Sequence, residues 1–218
     1  MKGLLIKDFR ILLRQKTSLV IFMGLSIFML INGMDVSFCL AYATILMTTL
    51  MIGTISYDEH ENGMSFLLTL PVSRRQYAMS KYLFTIIGII VTDVILLAVL
   101  GVYEAMAPGG IPMSEYVMTA ALLFFIAIIM ISIMIPVDFK YGVNKSRLVL
   151  LIFAGAGSVV MLVFSKFADA IPYELRRAVE QAALASPAVI GLILGIASLV
   201  ILIISIICSI QVIKKKDY

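Results

Sequence analysis

Tryptophan is absent, histidine occurs once, cysteine twice, and only 14% of the 218 residues are charged, against 62% hydrophobic. A soluble domain carries roughly 25% charged and about 45–50% apolar residues. This chain cannot build a water-facing surface of that kind, and a bilayer is the natural solvent for its apolar excess. The lone His60 lies in the acidic run Asp58-Glu59-His60-Glu61, which has no metal-ligand spacing. It reads as part of a solvated loop, and no metal site is expected. Cys39 and Cys208 fall near opposite ends of their apolar runs. A disulfide needs Cα atoms within roughly 7 Å, so both read as small buried apolar residues.

Missing motifs exclude whole chemistries. There is no G-x-x-x-x-G-K-[ST] loop, so the chain is expected to bind no nucleotide cofactor and to hydrolyse no ATP by itself. No Ser/His pair lies within the apolar runs, and no second carboxylate accompanies Asp93 there. Intramembrane serine and aspartyl proteolysis lack their parts, and the chain does not read as an enzyme. The formal net charge of +4 forms no single basic patch, which argues against nucleic acid.

What is present is a series of six apolar runs, roughly Ser18–Ile31, Val36–Ser56, Leu83–Val102, Tyr116–Val137, Leu148–Phe167 and Ala188–Ile213. Each approaches the length needed to cross about 30 Å of hydrocarbon. The first is the shortest and is expected to borrow residues from the segment before it. It lacks a small-residue cleavage site and reads as a retained span. Fourteen of the 17 Lys and Arg residues fall on one side of this plan. They are Lys2, Lys7, Arg10, Arg14 and Lys16; Arg74, Arg75 and Lys81; Lys140, Lys145 and Arg147; and Lys214, Lys215 and Lys216. Only Lys166, Arg176 and Arg177 fall on the other. By the positive-inside rule both termini are cytoplasmic. The expectation is an all-α, polytopic membrane protein forming one transmembrane domain over residues 1–218.

Three segments stand outside the spans. Residues 3–15 place Leu5, Ile6, Phe9, Leu12 and Leu13 on one helical face, with Lys7, Arg10 and Arg14 opposite. This spacing favours a helix lying in the headgroup plane over a plain basic flank. Residues 57–82 form a cytoplasmic stretch in which Asn62-Gly63 signals a turn and Met64, Phe66, Leu67, Leu68 and Leu70 form a short apolar segment ended by Pro71. A new helix then opens with a capping box, Ser73 and Gln76, with Val72 and Tyr77 placed as a hydrophobic staple. Arg74 and Arg75 occupy its first turn, where the helix dipole disfavours cations, so span orientation or a cytoplasmic protein partner must explain them. Residues 168–186 form the longest external loop, with a short apolar helix beginning at Pro172. Within the spans, Asp93 is the charged residue set deepest, and reads either as a functional group facing a wet cavity or as a packing contact to a hydroxyl on another span. Gly191 and Gly195, and Ala154 and Ser158, form small-residue faces suited to close helix packing.

Asp58-Glu59-His60-Glu61-Asn62-Gly63, then Leu67-Leu68-Thr69-Leu70-Pro71-Val72-Ser73-Arg74-Arg75 and Lys81-Tyr82, resembles the signature of ABC type-2 permeases. The opening Lys7-Asp8-Phe9-Arg10 is also typical of them. The resemblance covers the whole six-span plan, and the short chain is similar to small bacterial permeases such as those of the phenol-soluble-modulin exporter. It implies a dimer, homo- or heteromeric, with separate ABC ATPase subunits that carry ATP and Mg on the cytoplasmic side of the bacterial cell membrane. Segment 1–17 would contain the interfacial elbow helix, and residues 168–186 would close the exit. Asn62–Leu70 would be the coupling helix between spans two and three. The residues so implied in ATPase coupling are Glu61, Asn62, Gly63, Met64, Phe66, Leu67, Leu70, Pro71, Ser73, Arg74 and Arg75. Spans rich in Met, Phe and Ile, with few fixed polar groups, point to amphipathic or hydrophobic cargo such as a peptide. The competing expectation is a proton-coupled secondary transporter using Asp93.

Overall fold

A computed structural model of the chain describes residues 2–59, 73–106, 112–142, 155 and 187–215. Among the described residues there are seven helices and no strand: α1 (Lys2–Arg14), α2 (Lys16–Ile31), α3 (Val36–Ile52), α4 (Thr54–Glu59), α5 (Arg74–Met106), α6 (Met113–Tyr141) and α7 (Pro187–Lys215). Four stretches are long and apolar enough to cross a membrane. They are Val36–Asp58 with 23 residues, α5 with 33, α6 with 29, and Gly191–Lys215 with 25. The fold is thus an all-helical, multi-pass one. The expected span at 148–167, the external loop at 168–186 and the small pair Ala154/Ser158 lie outside the described residues.

α1 and α2 are separate helices: the chain breaks at Gln15 (φ −89°, ψ 27°), and α1 meets α2 at 70°. Left with 16 residues, α2 rises about 24 Å at 1.5 Å per residue, short of the roughly 30 Å hydrocarbon core. It passes as a span only when counted together with α1.

Local chemistry sets the ends. α2 stops at Asn32-Gly33, where Gly33 takes φ +75°, a conformation open to glycine. Asp35 then caps α3, its Oδ1 accepting from the Phe38 amide at 3.1 Å. α6 ends at Gly142, with φ +77° and its amide donating to the Asp138 carbonyl.

Packing gathers around two levels of the bundle. Ile55, Tyr82, Ile131, Ile135, Phe139 and Ile213 form a core at one end, joining α4, α5, α6 and α7. Leu30, Cys39, Leu40, Ala43, Leu96, Leu100 and Tyr116 form another at the opposite end. At Gly88 α5 meets α3 side on, and a Cβ there would press on the sulfur and methyl group of Met51. The Gly191/Gly195 face meets α6, with a Cβ at Gly195 lying 3.2 Å from the Phe125 ring. Between α5, α6 and α7 the Tyr82 hydroxyl lies 2.6 Å from Ser205 Oγ and 2.7 Å from Ser209 Oγ. Ser205 in turn donates to the Ser132 carbonyl. Each hydroxyl has one proton, so the order runs Ser209 to Tyr82 to Ser205 to the Ser132 carbonyl. Such polar ties join helices where lipid offers no hydrophobic drive. Outward, α2 and α7 expose large apolar side chains along their length, including Val20, Phe28, Leu192 and Ile196. Cys39 is buried, but Cys208 is exposed on α7 rather than buried as expected, and neither is in a disulfide.

Candidate functional site

Three segments far apart in sequence converge at the end of the bundle where α4 stops and α5 starts. α4 continues α3 after Gly53, held by Thr54 Oγ1 donating to the Met51 carbonyl (2.8 Å) and Ser56 Oγ donating to Gly53 (2.6 Å). It carries the chain to Asp58. α5 begins with the capping box: the Gln76 amide donates to Ser73 Oγ at 3.2 Å, and the Ser73 amide donates to Gln76 Oε1 at 3.1 Å. Both bonds satisfy amides that a helix start otherwise leaves open. α1 lies across this junction, packed on α4 and α5.

α1 faces the body differently from expectation. Leu4, Asp8 and Leu12 are buried, at the i, i+4, i+8 spacing of one helical face. Ile6, Phe9 and Leu13 point outward. The apolar face read from the sequence therefore splits: Leu12 packs inward with Leu5 half-buried beside it, and Ile6, Phe9 and Leu13 form an open apolar side. The inward stripe was hidden because its central residue is an aspartate.

That aspartate belongs to a buried ion cluster. Lys81 Nζ lies 2.8 Å from Asp8 Oδ1 and 2.7 Å from Asp58 Oδ2, and all three side chains are nearly sealed, with Lys81 and Asp8 1% exposed and Asp58 4%. Lys7, 28% exposed, contacts Asp8 Oδ1 at 3.0 Å and donates to Asp58 Oδ1. Tyr77 donates to Asp58 Oδ2 at 3.0 Å, and Thr54 Oγ1 accepts from Lys81 at 3.3 Å. Two cations face two anions, so the cluster is neutral as a whole. Asp8 Oδ2 is buried with no hydrogen-bond partner among the described residues. Asp58 and Lys81 correct the sequence reading, which placed the first in a solvated acidic loop and the second among membrane-flanking charges. A signal did exist: Asp8, Asp58 and Lys81 all belong to the stretches that carry the family resemblance.

The other residues singled out from sequence fall in several places. Glu61, Asn62, Gly63, Met64, Phe66, Leu67, Leu70 and Pro71 lie outside the described residues, as does Val72 of the expected staple. Ser73 performs its capping role. Arg74 reaches the far end of the chain, donating from one guanidinium nitrogen to the carbonyls of Ile213 (3.0 Å) and Lys214 (2.9 Å). A cation there satisfies open carbonyls at the negative end of α7, which helix α5 alone could not explain. Arg75 is exposed beside it. Asp93 is buried and accepts from Thr44 Oγ1 of α3 at 3.0 Å. Asp138, just past the expected end of the fourth span, is buried as well. No group of His, Cys, Asp or Glu among the described residues is arranged to hold a metal ion.

The arrangement thus holds three segments of the chain together. It flanks the 60–72 segment on both sides. No curated protein and no solved structure matches the chain. The model of the family described as ABC-2 family transporter protein does match it, over residues 3–214, and the chain belongs to that family.

Proposed function

We propose that this ABC-2 chain is the permease subunit of an ATP-driven exporter in a bacterial cytoplasmic membrane. It crosses the membrane six times with both termini inside and pairs with a second permease subunit. Two separate ATPase subunits bind on the cytoplasmic side, and segment Asn62–Leu70 docks on them as the coupling helix. The cargo is amphipathic, a peptide or another hydrophobic molecule, as in the small exporters of phenol-soluble-modulin type that the chain resembles.

The observation that carries this reading is the family match over 3–214, joined to the acidic-glycine and Leu-Pro-Val-Ser-Arg motif at Asp58–Arg75. The 70° elbow between α1 and α2 and the gathering of basic residues at one end support it. The test is to purify the chain with the ATPase encoded beside it, reconstitute the complex in vesicles, and follow ATP-driven movement of a labelled amphipathic peptide. Stable association and ATP-dependent transport are expected, with transport lost when Phe66 and Leu67 are both changed to Asp. A chain that binds no ATPase, or that transports normally with this segment broken, defeats the proposal.

A further inference from the structure

The ion cluster flanks the segment through which an ATPase would drive this permease, and any role for it in coupling rests on the permease reading. Asp58 lies just before residues 60–72 and Lys81 shortly after, two turns into α5. The two flanks are joined directly, Asp58 to Lys81 at 2.7 Å and Asp58 to Tyr77 at 3.0 Å. Both are also joined to α1, through Lys81 to Asp8 at 2.8 Å and through Lys7 to Asp58. We propose that the Lys81–Asp8–Asp58 cluster is a positioning clasp that makes both flanks of segment 60–72 and helix α1 move as one body, so that motion imposed on that segment reaches the membrane through α1.

Three features argue for a clasp over a simple stabiliser. Apolar side chains would fill a sealed site at a lower desolvation cost, so a buried ionic cluster is a poor choice for stability alone. It is a good choice for fixing which segments stay together, because separating them would leave Lys81, Asp8 or Asp58 charged and unpaired in a low-dielectric site. Finally, α1 connects at Gln15 directly to α2, so a displaced α1 carries the first membrane helix with it.

The test uses the permease–ATPase complex in vesicles and reads cargo moved per ATP hydrolysed. In the double variant Lys81→Met with Asp8→Asn, one charge of each sign is removed and the Lys7–Asp58 pair remains. It is expected to fold, bind the ATPase and hydrolyse ATP, with the ratio lowered at least about fivefold, the low end of ordinary coupling between sites. Lys81→Arg, whose guanidinium can serve both carboxylates, is expected to keep the ratio within about twofold of the original. A double variant with the original ratio overturns the clasp. If that variant does not fold, Asp8→Asn alone decides: an unchanged ratio overturns the proposal, and a lowered one supports it. If the unaltered chain itself binds no ATPase, the functional reading fails, and with it the premise of the clasp.

Discussion

Lys81 and Asp93 are both charged residues within the same helix, yet their surroundings give them different expected sensitivities. Lys81 is the shared partner of two sealed carboxylates, 73 residues from Asp8 along the chain. Lys81→Ala leaves Asp8 and Asp58 with Lys7 alone. Breaking a buried pair from one side costs about 3–5 kcal/mol, so the thermal midpoint in detergent should fall clearly. Lys7→Ala should cost less, because Lys7 is partly exposed and water can replace it. Equal losses would show that burial does not set the strength of these pairs. Asp93 has a simpler setting, with one hydrogen bond from Thr44. Asp93→Asn keeps an oxygen able to accept that bond, so stability should change by no more than about 1 kcal/mol and transport should persist. Loss of transport in a folded Asp93→Asn variant would move Asp93 from packing to proton chemistry. Asp93 could be singled out from sequence because it interrupts an apolar run. Asp8 was marked only by its place in the family-like stretch Lys7–Arg10: by its own pattern, on a basic amphipathic segment, it looks like any solvated charge, and its partners are distant in the chain.

At the scale of elements, signals confined to one helix named both partners in the sequence, whereas those involving two helices left the second partner open. The Ser73/Gln76 box needs residues only three apart, and the structure forms both of its bonds. Ser73→Ala should cost about 1 kcal/mol, concentrated at the start of α5, and faster amide exchange over residues 74–77 would report it. Unchanged exchange there would mean that tertiary packing holds the helix start without the cap. Arg74 was anomalous within its own helix because its role is at the end of another, where it meets Ile213 and Lys214. The break at Gln15 carries no proline or glycine, and what marked it was the change from the amphipathic pattern of residues 3–15 to the apolar run that follows. Gly88 gives a test of a two-helix contact. An alanine there meets the Met51 sulfur and methyl group, the flexible end of that side chain, so the helix propensity it gains offsets part of the overlap and Gly88→Ala should cost no more than about 1 kcal/mol. Met51→Ala in the same chain should recover part of that loss, a coupling that two independent sites would not show.

Among the described residues the basic segments gather at one end of the molecule, by contacts that the positive-inside argument never used. α1 meets α4 and α5 through the Lys81 cluster, Arg74 meets the end of α7, and the Tyr77 ring packs 5.7 Å from Phe139, next to Lys140 at the end of α6. Gly33, Met106 and Ser114 belong to the opposite ends of these helices. Hydropathy marked the four long apolar helices and charge gave them an expected direction, but the two rules treat each helix separately and say nothing of which ends touch. That those ends do touch in three dimensions makes a single exposed cysteine on each side a test of the entire arrangement. With Cys39 and Cys208 replaced by Ala, Arg75→Cys and Ser114→Cys each leave one thiol at an exposed position. With a membrane-impermeant maleimide, Ser114→Cys should react in intact cells and Arg75→Cys only after permeabilisation. The reverse pattern would place the Asp58–Lys81 junction outside, where no cytoplasmic ATPase reaches it, and both the exporter reading and the clasp would fall with the topology.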